Sequence, residues 1–410
     1  VQTGGEVQPL VISPDKAWLY AGVRPDFRVL SYPITADGRL GTPSSAPLDG
    51  SASHSCTDGT GRLFFAASYA FDHVSVSPMD DAGRVLAPHQ RIDRLMAAHS
   101  VTLLTTEQGE QELLVACLKE DVIRRFTLGE DGQLSPHPLG DIHTAPGAGP
   151  RHLALHPTNG DLYCLNELDC TLNRYHREAD GRIGARESLD MLPEGYQGER
   201  WGADIHLTPD GRFLYTSERA SSLLSLFAVD EEDGALTLLG HFPTESCPRG
   251  FAIDHSGHYL IATGQKSHSL AVHRIAAQTG ELSLSSRQHV GEGAMWVRVL
   301  ALDKPAWGGS RPQKCARRSD ERRAVNINVW ALLGAVEIVI RPVFVALHGG
   351  LHRHPLLGEL VHLHLLEVGI GRLADHHLAI VRRLGGQIRL GAGIEARGDE
   401  AIQRGGVVED

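Results

Sequence analysis

Several features that would decide a class at once are missing from this chain. No run of about 18 apolar residues occurs among its 410 residues, so nothing in it reads as a membrane-spanning helix. The opening VQTGGEVQPL has no basic segment leading into an apolar run, so no secretory leader is expected. Six cysteines (Cys56, Cys117, Cys164, Cys170, Cys247, Cys315) show no CxxC spacing. That argues against a zinc site and a disulfide framework, and makes a reducing, cytoplasmic setting the expectation. There is no GxSxG elbow and no HExxH, so serine-hydrolase and zincin mechanisms lack their motifs. Basic charge is scarce too, with a net charge of −11. Residues 303–410 hold 15 Lys+Arg against 12 Asp+Glu, which leaves 24 against 38 in residues 1–302. So acidic a body speaks against nucleic acid as a partner.

What is present is a repeat of about 45 residues, a period that marks propellers and solenoids. Six stretches share one grammar: apolar run, turn, apolar run, turn, a third run, then DGxL or a variant. Among them are LVISPDKAWLYAGVRPDFRVLSYPITADGRL, RHLALHPTNGDLYCLNELDCTLNRYHREADGRI and RGFAIDHSGHYLIATGQKSHSLAVHRIAAQTGEL. Runs of five to seven residues rich in Val, Leu, Phe and Tyr, separated by Pro-Asp-Gly turns, predict hairpins. Blocks of three or four strands at this period predict an all-β, seven-bladed β-propeller. A seventh module opens at GEGAMWVRVL (291–300) and goes no further. The expectation is six complete blades and an incomplete seventh that lacks two or three N-terminal strands, leaving unpaired edges.

Aligning the modules on their turns gives two sets of residues. Gln8, Ser51, His99, Arg151, Ala203, Arg249 and Met295 open the first strands; Arg24, Tyr69, Lys119, Glu167, Arg219 and Gln265 close the second. In an antiparallel hairpin the start of one strand lies beside the end of the next, so both sets should ring one mouth of the channel. Structural roles compete for each. Arg151 and Arg249 could position loops, Glu167 could pair across blades with Lys119 or Arg219, and His99 could bond a turn. His54, His152 and His206 could be satisfied core groups, and Asp204 could accept strand-end N–H groups. Cys164 and Cys247 read as small core fillers. A rim with several cations, one carboxylate and one imidazole suits a phosphorylated or carboxylated small molecule.

The stretches VQPLVISPDKAWLYAGVRPDFRVLSY, GAGPRHLALHP, NELD, RWGADIHLTPDGRFLYTSERASSLLSLF, PRGFAIDHSGHYLIATGQKSH and GEGAMWV run in order from residue 1 to about residue 300. In them the chain resembles the seven-bladed propeller lactonase family of the bacterial 6-phosphogluconolactonase type. The resemblance implies hydrolysis of 6-phospho-D-glucono-1,5-lactone to 6-phosphogluconate in the oxidative pentose phosphate pathway without a required cofactor; a metal-free site and a monomeric chain are the accompanying expectations. By motif it puts the catalytic group on His99, Arg151, Glu167 and Arg219. Arg249, His152, His206, Lys119, Gln265 and Arg24 are the expected substrate-binding residues. Arginines would hold the phosphate and polarise the carbonyl, while Glu167 or His99 takes a proton from water. A lactone-forming, carboxymuconate cyclase-like activity, another sugar-acid lactonase, a non-catalytic binding propeller and an inactive fragment are the alternatives. Two departures from the family pattern are Glu218 in SER (217–219), where Asn or Asp is common, and Ala294, where Pro is usual.

From Asp303 the language changes: 303–410 has no Thr, Tyr or Met and only two Lys, but 13 Arg, 15 Gly and 7 His. The period vanishes, and apolar stretches such as LLGELVHLHLLEVGIGRL settle into neither helix nor strand spacing. The domain expectation is a propeller at 1–302 and a foreign, poorly ordered tail at 303–410, translated out of frame or from the opposite strand. Metal binding through His352, His354, His362, His364, His376 and His377 is the sharper alternative, because His-x-His pairs ligate metals.

Overall fold

The computed structural model describes residues 3–106, 109–302 and 327–330, all within one compact unit, Val1–Phe344. Apart from 327–330, the expectations for residues 303–410 lie outside the described residues. Six sheets repeat the same up-and-down order. The first is Glu6–Ile12, Trp18–Arg24, Arg28–Pro33 and Ser44–Pro47, each strand paired with the next in the chain. The other five begin at His54, Ala98, Pro150, Gly202 and Phe251, and the third carries a short extra strand, Ile142–His143. Arg298–Ala301 pairs antiparallel with Ile327–Trp330 in a two-stranded seventh sheet, so the last module continues with a strand beyond residue 300. The only helical element among the described residues is a 3-10 turn, Leu118–Glu120.

The first strands of successive sheets touch one another around a closed ring. Arg298–Ala301 contacts both Phe251–Ile253 and Glu6–Ile12 and so completes it. The ring is the inner wall of a β-propeller. Seven apolar clusters fill the seven gaps between neighbouring sheets. One joins Tyr20 and Val29 to Phe64, another Tyr163 and Leu165 to Leu214 and Phe227. Val297 packs with Ile261 and Leu270, and Trp296 with Leu10 and Leu19, so the seventh position is sealed on both sides. Burying each such side chain contributes roughly 1.5–3 kcal/mol. The outermost strands, such as Leu282–His289, are largely exposed.

Local chemistry explains the hairpins. In the TDGTGR and DHSGHY turns, Asp58 and Asp254 each accept two backbone N–H groups on one oxygen, from Arg62 and Leu63 and from His258 and Tyr259. The glycine turns between the outer strands serve a second purpose. Tyr20, Tyr163 and Tyr215 each donate a hydroxyl to the carbonyl of Gly83, Gly234 and Gly280 in the next blade, locking neighbours together. Gly83 has φ +89°, and a Cβ there would sit 2.6 Å from Nε1 of Trp18, so glycine is required. Between the third and fourth blades a buried Arg125–Glu112 pair does this work, Arg125 donating to the carbonyl of Gly181 at 2.9 Å.

Candidate active site

β-bulges at the starts of the inner strands shape the mouth. Pairing of Pro150 with Asn166 is followed by His152 with Leu165, leaving Arg151 as the extra residue. His99 is likewise skipped between Ala98–Cys117 and Ser100–Ala116. Shifts of the same kind occur at Val7/Leu10 and Gly202/Ile205. Neighbours on a regular strand point to opposite faces; a bulge turns consecutive side chains to the same side. Arg151 and His152 therefore meet, Nη1 to Nε2 at 3.2 Å.

A cavity of about 240 Å³ opens at this end of the ring, with Gln8, Ser51, His99 and Arg249 from first-strand openings and Arg24, Tyr69, Glu167 and Arg219 from second-strand ends in its wall. Arg151 lies fully buried behind it, donating from Nε to Oε2 of Glu167 at 2.7 Å and from Nη1 to the carbonyl of Ala203. The same Oε2 receives Nη2 of Arg219 at 2.9 Å. Arg219 lies 3.8 Å above the Trp201 ring and also donates to the carbonyl of Gly202 at 2.8 Å. Oε1 of Glu167 has no hydrogen-bond partner among the described residues. Arg249 forms no ion pair among them, and its Nε is buried without a partner.

Charge states follow from this packing. Burial pushes the Glu167 carboxyl upward, but Arg151 and Arg219 outweigh it and hold the group below its ordinary value, so it is ionised. Burial, then Arg151, lowers Arg219 to about 9 and Arg249 to about 10; both stay charged at neutral pH. His99 is held well below the usual imidazole range by burial, Arg151 and His152, so it is neutral, and its Nδ1 is buried without a partner. Its ring packs edge-on to Tyr69 and His152, centroids 5.6 and 5.2 Å away.

The remaining expected site residues separate. Lys119 is exposed, because the 3-10 turn Leu118–Glu120 swings it outward until Nζ stands 5.8 Å from the Tyr69 ring centre. Gln265 accepts from the Cys247 thiol and does not line this cavity. His152 and His206 belong to a second cavity of about 320 Å³ farther along the inner strands, with His54, Asp204, Trp296 and Arg298. Trp201 and the Asp204–His152 contact were not singled out from the sequence for the mouth. Trp201 stands immediately before the fifth inner strand, the one signal that could have found it.

A closed ring of hairpins that brings Arg24, Arg151, Arg219 and Arg249 around one carboxylate and one neutral imidazole defines a β-propeller with an arginine-rich mouth. The family model described as "Lactonase, 7-bladed beta-propeller" matches residues 1–299. The chain belongs to that lactonase family. It is 49% identical over 300 residues to a 6-phosphogluconolactonase of Yersinia pestis, covering 73% of this chain and 89% of that protein. A 6-phosphogluconolactonase of Xenorhabdus nematophila is 50% identical over 302 residues, covering 74% and 90%. The solved periplasmic gluconolactonase of Pseudomonas aeruginosa is similar at 26% identity and a TM-score of 0.63, covering 69% of this chain and 85% of that one. Hydrazine synthase of Kuenenia stuttgartiensis, 15% identical with a TM-score of 0.56 over 72% and 90% of the two chains, shares the fold alone.

Proposed function

We infer that this protein hydrolyses 6-phospho-D-glucono-1,5-lactone to 6-phosphogluconate, the lactonase step of the oxidative pentose phosphate pathway. The carrying observation is the identity of about half the residues with 6-phosphogluconolactonases along nearly their full length. The site agrees chemically: a phosphorylated lactone brings an anion and a carbonyl, and the mouth offers guanidinium groups for both. Arg249, without an acceptor among the described residues, is the group assigned to the phosphate, with Arg24 beside it. Arg219, braced by Glu167 and Trp201, faces the carbonyl oxygen, where charge develops as water attacks C1. His99 takes a proton from that water and returns it to the ring oxygen when the C1–O bond breaks. The carboxylic acid so formed loses its own proton to solvent. Glu167 holds Arg151 and Arg219 in place and turns Oε1 to the substrate.

Every residue in this scheme lies within 1–302 of one chain, so a monomer suffices and the activity is assigned to the propeller. A phosphorylated sugar stays in the compartment that makes it, which fits a cytoplasmic setting. No helix among the described residues is long and apolar enough to cross a membrane. Following lactone loss at pH 7 above its spontaneous rate in Glu167→Gln and Arg151→Met tests the assignment. Loss of the excess rate in folded variants is expected; wild-type rates would refute it.

A further inference from the structure

Asp204 has no role in the scheme above, yet it is a carboxylate with 6% exposure at the centre of three blades. Oδ1 accepts from Nδ1 of His152 at 2.7 Å and from its neighbour's amide, Ile205 N, at 3.0 Å. Oδ2 accepts from Nε2 of His206 at 3.1 Å and from the amide of Phe251 at 3.2 Å. All four acceptor positions of the carboxylate are filled. His152 thus stands between a group that only accepts and one that only donates: Asp204 at Nδ1, Arg151 at Nε2. One protonation pattern fits both, hydrogen on Nδ1 and a bare Nε2.

We propose that Asp204 is a positioning residue for the lactonase reaction: it locks His152 in the Nδ1–H form, so that Nε2 holds the Arg151 guanidinium against Glu167. This rests on the lactonase reading for its kinetic consequence, though not for the tautomer itself. The alternative tautomer would point an N–H at the Nη1–H of Arg151, which cannot accept. Arg151 would then shift, and with it the Oε2 that also anchors Arg219 at the cavity wall. Protonating both nitrogens creates the same conflict. Burial and Arg151 lower His152 to about 4 even though Asp204 opposes them. His54, His99 and Trp296 pack against the ring, His206 reaches it through Asp204, and Arg298 shares its cavity. None of these offers Nε2 a different partner.

Histidine ¹⁵N chemical shifts read the tautomer directly and need no substrate. In the wild-type protein His152 is expected to carry its proton on Nδ1 from pH 5 to 9; a proton on Nε2 would overturn the proposal outright. Asp204→Ala is expected to lower kcat by about 10–100-fold, the usual size of losing an orienting partner, with KM within about threefold of wild type. Its His152 signals should show mixed tautomers. Asp204 lines the 320 Å³ cavity, so formate can reach the vacated position. Formate should restore both kcat and the Nδ1–H form in the variant, with no such gain in the wild type. Wild-type kcat, or a loss of kcat with the tautomer intact, would overturn the assignment. Absence of lactonase activity in the wild type would instead sink the functional reading and leave the tautomer result standing.

Discussion

Among the mouth residues the arginines differ in what they can do, because they differ in what already satisfies them. Arg151 and Arg219 share one carboxylate oxygen and each donates to carbonyls of its own, Ala203 for Arg151 and Trp201 and Gly202 for Arg219, whereas Arg249 has no acceptor among the described residues. An anion arriving at Arg249 therefore gains a charge-assisted hydrogen bond without displacing one. Arg249→Gln is expected to raise KM for 6-phosphogluconolactone by about 10–100-fold, as expected for a lost bond to a charged group, with kcat little changed. Against unphosphorylated gluconolactone the same variant should match wild type. Equal losses on both lactones would move the phosphate away from Arg249. That the openings of first strands and the ends of second strands share a rim was legible from turn register, since hairpin pairing is a local consequence of the turns. Lys119 shows the limit: three residues of 3-10 geometry at the strand end, closed by Asp121 with φ 52°, change the direction of a side chain without changing its register.

Strands and turns carry a second set of dependences. Gly83, Gly234 and Gly280 are each set by two demands at once, a positive φ and a side chain of the preceding blade standing where a Cβ would sit. Gly83→Ala should cost more than about 1 kcal/mol, since an L side chain is strained in the left-handed region even before it meets Trp18. Tyr20→Phe, which removes only the hydroxyl bond to Gly83, should cost about 0.5–1.5 kcal/mol. Urea unfolding of both variants checks the order, and a costlier Tyr20→Phe would mean that the hydroxyl, not the close approach, holds the two blades. The repeat made these turns readable. The bulges at His99 and Arg151 were not, because a bulge exists only between two paired strands and leaves no fixed residue pattern behind.

Across the whole molecule, the blades and the channel they enclose bury imidazoles in their neutral form. Burial and Arg151 lower His152 to about 4, and burial and Arg287 do the same to His273; burial also holds His54 and His99 well below the ordinary value. A histidine with a lowered folded pKa binds its proton first in the unfolded chain. Stability is then full above about pH 6.5 and declines as pH falls toward 4, by about 3 kcal/mol for His152 alone. Glu167, lowered by its arginines, keeps its contribution above the ordinary carboxylate range, begins to lose it as the pH falls into that range, and goes on losing it down to its own lower value. Thermal unfolding from pH 8 to 4 should therefore fall steepest between 6.5 and 4; a flat profile there would mean these rings are charged in the folded state. Periodicity and turn chemistry alone determined that this chain winds hairpins around an axis and which residues sit at their ends, because both are set over a few bonded neighbours. Only the closed ring decided which of those ends converge, that Arg151 and His152 point the same way, and that Asp204 dictates a proton's position on His152. Those facts depend on contacts between blades about fifty residues apart, and no local stretch encodes them.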